Sequence, residues 1–219
     1  MMQEILEIER SIKERRESDI KLTNFWVTMF LLSPVTLGIY PVIQGYKQIA
    51  RIDKFIQRKR KYYEGIVNYT EKYLKENNCY DEYQYKCNEL RDSYKENFLK
   101  ECKELNYFLS FLFIIITFGI YGIYFGYKVN KIWDDIQKFE DDFYEKLNGI
   151  WNKVGIIKYP INFKYDSSKK RSYIVNLILS LVSFGIWGLV WNYKLWVDPD
   201  NLYGEIHTAE DVVLATVRK

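Results

Sequence analysis

Apolar side chains recur along this chain in two rhythms. In the polar tracts they fall three, four or seven residues apart, whereas in three other stretches they run together with no charge among them. Beyond Lys47, the residues Ile49, Ile52, Ile56, Tyr63, Ile66 and Tyr73 line one face of a helix. The segment KENNCYD (Lys75 to Asp81) interrupts that stripe with two asparagines and predicts a turn. Tyr83, Cys87, Leu90, Tyr94, Phe98, Cys102 and Leu105 then form a second stripe, so residues 47–104 predict an antiparallel helical hairpin. Val129, Ile132, Ile136, Phe139, Phe143, Leu147 and Ile150 repeat the theme within 128–171, which ends in a basic linker. Ile5, Ile8 and Ile12 predict an amphipathic helix within 1–22. These faces can pack on each other or receive a partner. The fold class they predict is all-α.

The uncharged stretches change the picture. Thr23 to Tyr46, Leu105 to Tyr127 and Ser172 to Tyr193 contain no Asp, Glu, Lys, Arg or His. A mean hydropathy of −0.30 and 28% charged residues describe a soluble protein only on average, because the charges are segregated. Uncharged apolar runs of this length are the signature of membrane segments, predicted here at 23–46, 105–127 and 172–196. Downstream, WVDPDNLYGEI predicts successive turns. In the tail, 197–219, Thr208 with Asp211 predicts the cap of a short helix, and His207 reads as an exposed loop residue.

The three runs share a motif: TLGIYPVIQGYK, TFGIYGIYFGYK and SFGIWGLVWNYK. Thr36, Thr117 and Ser183 open the copies, Gly38, Gly119 and Gly185 follow, and Pro41, Gly122 and Gly188 supply a second interruption. Each copy closes on Tyr-Lys: Tyr46 and Lys47, Tyr127 and Lys128, Tyr193 and Lys194. Tyrosine at headgroup level beside a lysine reaching for water makes an interfacial anchor. Two geometries suit the runs. As a single helix each rises roughly 33–36 Å, enough for a hydrocarbon core of about 30 Å. As a re-entrant hairpin turning at the small residues, each arm reaches only about 16 Å. Flanking lysines and arginines favour hairpins. If all three runs crossed, the 15-residue flanks would place 13 of these on one side and 12 on the other, without the basic bias that spanning proteins carry. A hydroxyl just before the turn can cap the second arm, which matters in lipid. The rival reading of the glycines is close helix packing through the Gly122–Gly126 spacing.

The T-x-G-I-[YW]…YK pattern, closest in TFGIYGIYFGYK, resembles a family of small prokaryotic membrane proteins known only as a domain of unknown function. Pro41 departs from it, as do Trp187 and Asn192. The resemblance covers only the membrane segments and implies a membrane location without implying an activity.

Chemistry is scarce. No phosphate loop, zinc-protease motif or nucleophile elbow occurs. Asp134-Asp135 and Asp141-Asp142 read as a solvated helix face. Cys79, Cys87 and Cys102 lack a C-x-x-C pair and read as reduced thiols on helix faces, not as a metal site. The expectation is a protein that is not an enzyme and has no cofactor. A net charge of +3 with interspersed signs argues against nucleic acid as a partner. With no ionisable residue inside the runs, a coupled carrier is disfavoured. The reading that fits best is a membrane-shaping scaffold: hairpins wedged into the lipid bilayer of the cell membrane, helices facing the cytoplasm, and self-assembly as a homo-oligomer. The alternatives are an oligomeric pore and an anchor that recruits a cytosolic protein partner.

Overall fold

Each long helix of this protein starts where one copy of the motif turns. The computed structural model describes residues 1–118, 120–167 and 172–218, and among them the regular structure is helical, with no strand. Two short helices, α1 (Met2–Lys13) and α2 (Arg15–Ser18), precede a π-helical segment, Val27–Leu32, that runs into α3 (Ser33–Val35). After a turn comes α4 (Ile39–Glu76). Asn77 and Asn78 separate it from α5 (Tyr80–Asp92), which a π-helical segment, Ser93–Leu99, prolongs. Two further helix pairs follow, α6 (Tyr107–Ile116) with α7 (Ile120–Trp151) and α8 (Tyr173–Val182) with α9 (Ile186–Val217).

The long helices α4, α7 and α9 run parallel and in register with the repeat. Thr70 and Trp151 stand equally far beyond Gly38 and Gly119, and the Trp151 indole donates to Thr70 Oγ1 at 2.9 Å. Nearer the turns, the Phe55 ring lies 5.5 Å from Trp133 and 5.6 Å from Tyr203, and those two lie 5.7 Å apart. One rise along any of the three helices is therefore matched on the other two. α5 and its extension fill the groove between α4 and α7, where Tyr63 meets Phe98, Phe139 and Phe143 at 4.8–4.9 Å. Pairs of this kind add roughly 0.5–1.5 kcal/mol each beyond simple burial.

α1 lies against α4 at Gly65. A β-carbon there would sit 2.9 Å from Ile8 Cγ1, so a side chain at this position would push α1 outward. Ser11 seals the approach by donating to the Arg58 carbonyl at 2.8 Å.

Four sequence expectations fail here. No helix among the described residues is long and apolar enough to cross a membrane, because each uncharged run is divided between two helices. That removes the single-helix geometry. The turns expected in WVDPDNLYGEI are also absent: α9 continues through Pro199 to Val217. Proline lacks the donor that would meet the Leu195 carbonyl one turn back and crowds that oxygen. In this fold Gln48 Nε2 of α4 donates to Leu195 O at 3.3 Å, and Arg51 Nη2 donates to the neighbouring Trp196 O at 2.7 Å. Side chains of α4 thus stand in for the missing backbone donor. Thr208 and Asp211 consequently lie inside a helix rather than at its cap, with Thr208 Oγ1 donating to Gly204 O. His207 is no loop residue either; its Nε2 lies 2.5 Å from Asp19 Oδ2.

Candidate functional site

Because the three long helices are parallel and in register, the three turns project from one end of the bundle. Each ends the inbound arm in the same way. Leu37 N–H donates to Pro34 O and Gly38 N–H to Ser33 O; Phe184 and Gly185 repeat this with Leu181 and Ser180, and Phe118 donates to Ile115. These paired bonds are a helix C-terminal cap in which the first residue past the cap is left-handed, a place usually given to glycine. Here it is Leu37 at φ +50°, Phe118 at +49° and Phe184 at +51°. Gly38 and Gly185 follow at φ +82° and +88°, values that require glycine, and Gly119 lies outside the described residues.

The hydroxyls join the two arms. Thr36 Oγ1 donates to Leu32 O at 2.7 Å and accepts from Tyr40 N–H at 3.1 Å. Thr117 does the same between Phe113 and Tyr121, and Ser183 between Ser180 and Trp187. At both fully described turns, every backbone N–H from Thr36 to Tyr40 and from Ser183 to Trp187 has an internal acceptor. Pro41, Gly122 and Gly188 fall elsewhere than expected. They sit in the first turn of α4, α7 and α9, where a missing donor or side chain does no harm, and they take no part in the reversal. A β-carbon at Gly122 would meet Ile114 at 3.8 Å, ordinary contact.

The inbound arms also start alike. Asn24, Asn106 and Ser172 accept from the first free N–H groups of their helices. Beside them the anchor tyrosines form a collar. Tyr46 packs on Tyr107 at 5.3 Å, Tyr127 on Tyr173 at 5.8 Å, and Tyr193 on Trp26 at 5.4 Å. Each outbound arm thereby meets the inbound arm of the next hairpin, and the third meets the first. Lys128 leans over Tyr124 and Lys194 over Trp187, which keeps both ammoniums near ring height rather than extended away from the turns.

Above the collar the apolar side chains are buried, and below it they are bare. Among the described residues, the large apolar side chains left exposed lie in the three hairpins, apart from Met2, Leu6, Ile20, Tyr85, Tyr159 and Val212. The tips are extreme: Leu37 is 91%, Phe118 97% and Phe184 99% exposed.

Comparison with protein families, curated proteins and solved structures finds no match for this chain, so the resemblance rests on the quoted motif alone.

Sequence reasoning missed a buried ionic cluster in the bundle. Glu210 of α9 accepts from Arg58 at 2.9 Å, Lys59 at 2.8 Å and Arg15 at 2.6 Å. Lys59 also lies 2.6 Å from Glu140 of α7, and Arg58 pairs with Asp19 at 3.0 Å. Three cations meet three carboxylates, which is why the group tolerates burial. Despite its own desolvation, Glu210 is held well below the usual carboxylate range by Lys59, Arg58 and Arg15. Glu140 is pushed up by burial, against the pull of Lys59. The signal available in the sequence was that Lys59 and Glu140 occupy equivalent positions in the first two copies, on faces otherwise apolar. Among the described residues no group of three or more His, Cys, Asp or Glu could hold a metal ion.

Proposed function

We propose that this protein inserts three re-entrant hairpins into one leaflet of a bilayer and holds them apart with its helical bundle, acting as a non-catalytic wedge and scaffold. The observation that carries this reading is the state of the tips. A left-handed leucine or phenylalanine costs about 1–2 kcal/mol, and in water its near-complete exposure returns nothing. In hydrocarbon the same side chain gains roughly 1.5–3 kcal/mol. Strain and exposure at all three tips are offset only if the medium around them is apolar.

Depth agrees with a single leaflet. Inbound arms such as α6 and α8 have 10 residues each, rising about 15 Å, half of a core of about 30 Å. Internal pairing of the turn's N–H groups suits lipid, where each orphan donor costs several kcal/mol. The aromatic collar then lies at headgroup level, with the bundle outside on the side of both chain ends.

The test is sided labelling of full-length protein reconstituted in sealed vesicles. Cysteine replaces Glu17 in one variant and Lys61 in another, in a chain whose native cysteines are replaced. An impermeant maleimide should reach both from the same face, and Phe184→Cys from neither. Labelling of positions 17 and 61 from opposite faces would end the hairpin reading.

A further inference from the structure

At the collar, between the Ile20–Thr23 segment and the start of α4, lies a cavity of about 290 Å³. Its lining includes Lys21, Lys47, Lys54 and Arg51, and no acidic residue. Apart from Asp200, which pairs with Arg51 from α9 at 3.0 Å, no carboxylate among the described residues neutralises this group by an ion pair. Two of the polar side chains lining the cavity are almost fully buried and incompletely satisfied. Arg51 Nε has no acceptor, and Gln44 Oε1 has no donor, although Gln44 Nε2 donates to Thr23. Ile20, Leu22 and Tyr46 give the same cavity an apolar wall.

We propose that this cavity binds the headgroup of one anionic phospholipid, its phosphate taken by Lys21, Lys47 and Lys54, with the paired Arg51 adding positive charge at the cavity wall. The proposal rests on the hairpin reading, because that reading puts Tyr46 and the cavity at headgroup depth. The chemistry required is a net anionic headgroup on an apolar root, which phosphatidylglycerol has, whereas the choline ammonium cancels the phosphate charge of phosphatidylcholine. The comparable cleft beside the second hairpin is a weaker candidate, since Glu101 and Asp135 share its lining with Lys100, Lys103, Lys128 and Lys131. There Lys131 is already paired with Asp135 at 3.2 Å.

The test uses full-length protein in a neutral detergent, titrated with phosphatidylglycerol or phosphatidylcholine while its thermal midpoint is followed. Lysines near a membrane surface favour anionic lipid, so phosphatidylglycerol should bind at least about tenfold more tightly. Combined Lys21→Gln, Lys47→Gln and Lys54→Gln should abolish that preference. Combined Lys95→Gln, Lys153→Gln and Lys158→Gln, which removes the same charge from exposed positions outside both cavities, should keep it. Equal losses from both triples would reduce the effect to diffuse attraction and overturn the site. Glycerol phosphate binding as tightly as the lipid would overturn the lipid assignment in favour of a soluble ligand. Flotation of the same protein on pure phosphatidylcholine vesicles keeps the two ideas apart. Flotation without a phosphatidylglycerol preference removes the cavity proposal alone, whereas no flotation removes the hairpin reading beneath it.

Discussion

The indole of Trp26 stacks on the ring of Tyr193 at 5.4 Å, joining the first inbound arm to the last outbound one. Phe25 adds an edge contact to Tyr193 at 5.8 Å, and the Trp196 indole donates to Thr23 O at 3.0 Å. This is the long-range link of the collar, since the other two tyrosine pairs join hairpins consecutive in the chain. A double-mutant cycle on Trp26→Ala and Tyr193→Ala, read by thermal unfolding in detergent, should give a coupling of about 0.5–1.5 kcal/mol. Additive losses would mean that the ring is not closed by this pair.

Under the proposed insertion, strain at the tips gives stability and membrane partition opposite signs. Phe184→Gly removes the penalty of a left-handed phenylalanine and should raise the stability of the detergent-solubilised protein by about 1 kcal/mol. The same change deletes an apolar side chain 99% exposed and should weaken partition into vesicles by about 1.5–3 kcal/mol. Phe184→Ala keeps the strain, so it should weaken partition without the gain in stability. A tip that served only to reverse the chain would improve with glycine by both measures.

Much of the bundle is legible in the sequence, and the reasons for the failures are physical. Heptad stripes such as Ile49, Ile52 and Ile56 report an all-helical class because periodicity records which face is buried. The hairpin geometry is foreshadowed by small residues in mid-run. However, Pro41, Gly122 and Gly188 mislead, since a residue that suits a turn also suits a first helical turn. Pro199 misleads more seriously. Its tolerance depends on Gln48, far away in sequence, and local propensity contains no record of that donor. The burial of Arg58 and Lys59 has no local sign for the same reason: Glu210, which both meet, is brought in by α9, and Glu140, which meets Lys59, by α7.

Pro199 and Gln48 can be tested together. Gln48→Ala leaves the Leu195 carbonyl without a donor where proline has already removed the backbone one, and should cost about 1–3 kcal/mol. In a Pro199→Ala background the residue at 199 supplies its own N–H to Leu195, so the same Gln48→Ala change should cost less than half as much. Equal costs in both backgrounds, read from denaturation midpoints, would show that Gln48 acts only through packing.

The ionic cluster sets how stability responds to acid, and its two buried glutamates act in opposite directions. Glu210 has its pKa depressed by Lys59, Arg58 and Arg15. Its contribution is therefore complete above the unfolded value of about 4.3 and is lost progressively as pH falls below it. Glu140 has its pKa raised by burial, so its ionised form is penalised in the fold and stability is recovered as pH falls through the raised value. Glu140→Gln should remove that recovery at little expense, leaving a steeper net loss on acidification. Glu210→Gln should be far more damaging, about 3–5 kcal/mol at neutral pH, because it removes the one carboxylate that Arg58, Lys59 and Arg15 share and leaves each with a single carboxylate partner around a buried site. It should also flatten the acid limb, since the group responsible for it is gone. Unfolding midpoints of the two variants between neutral pH and pH 3 decide the matter. Equal damage from both substitutions would mean that Lys59, not Glu210, organises the cluster.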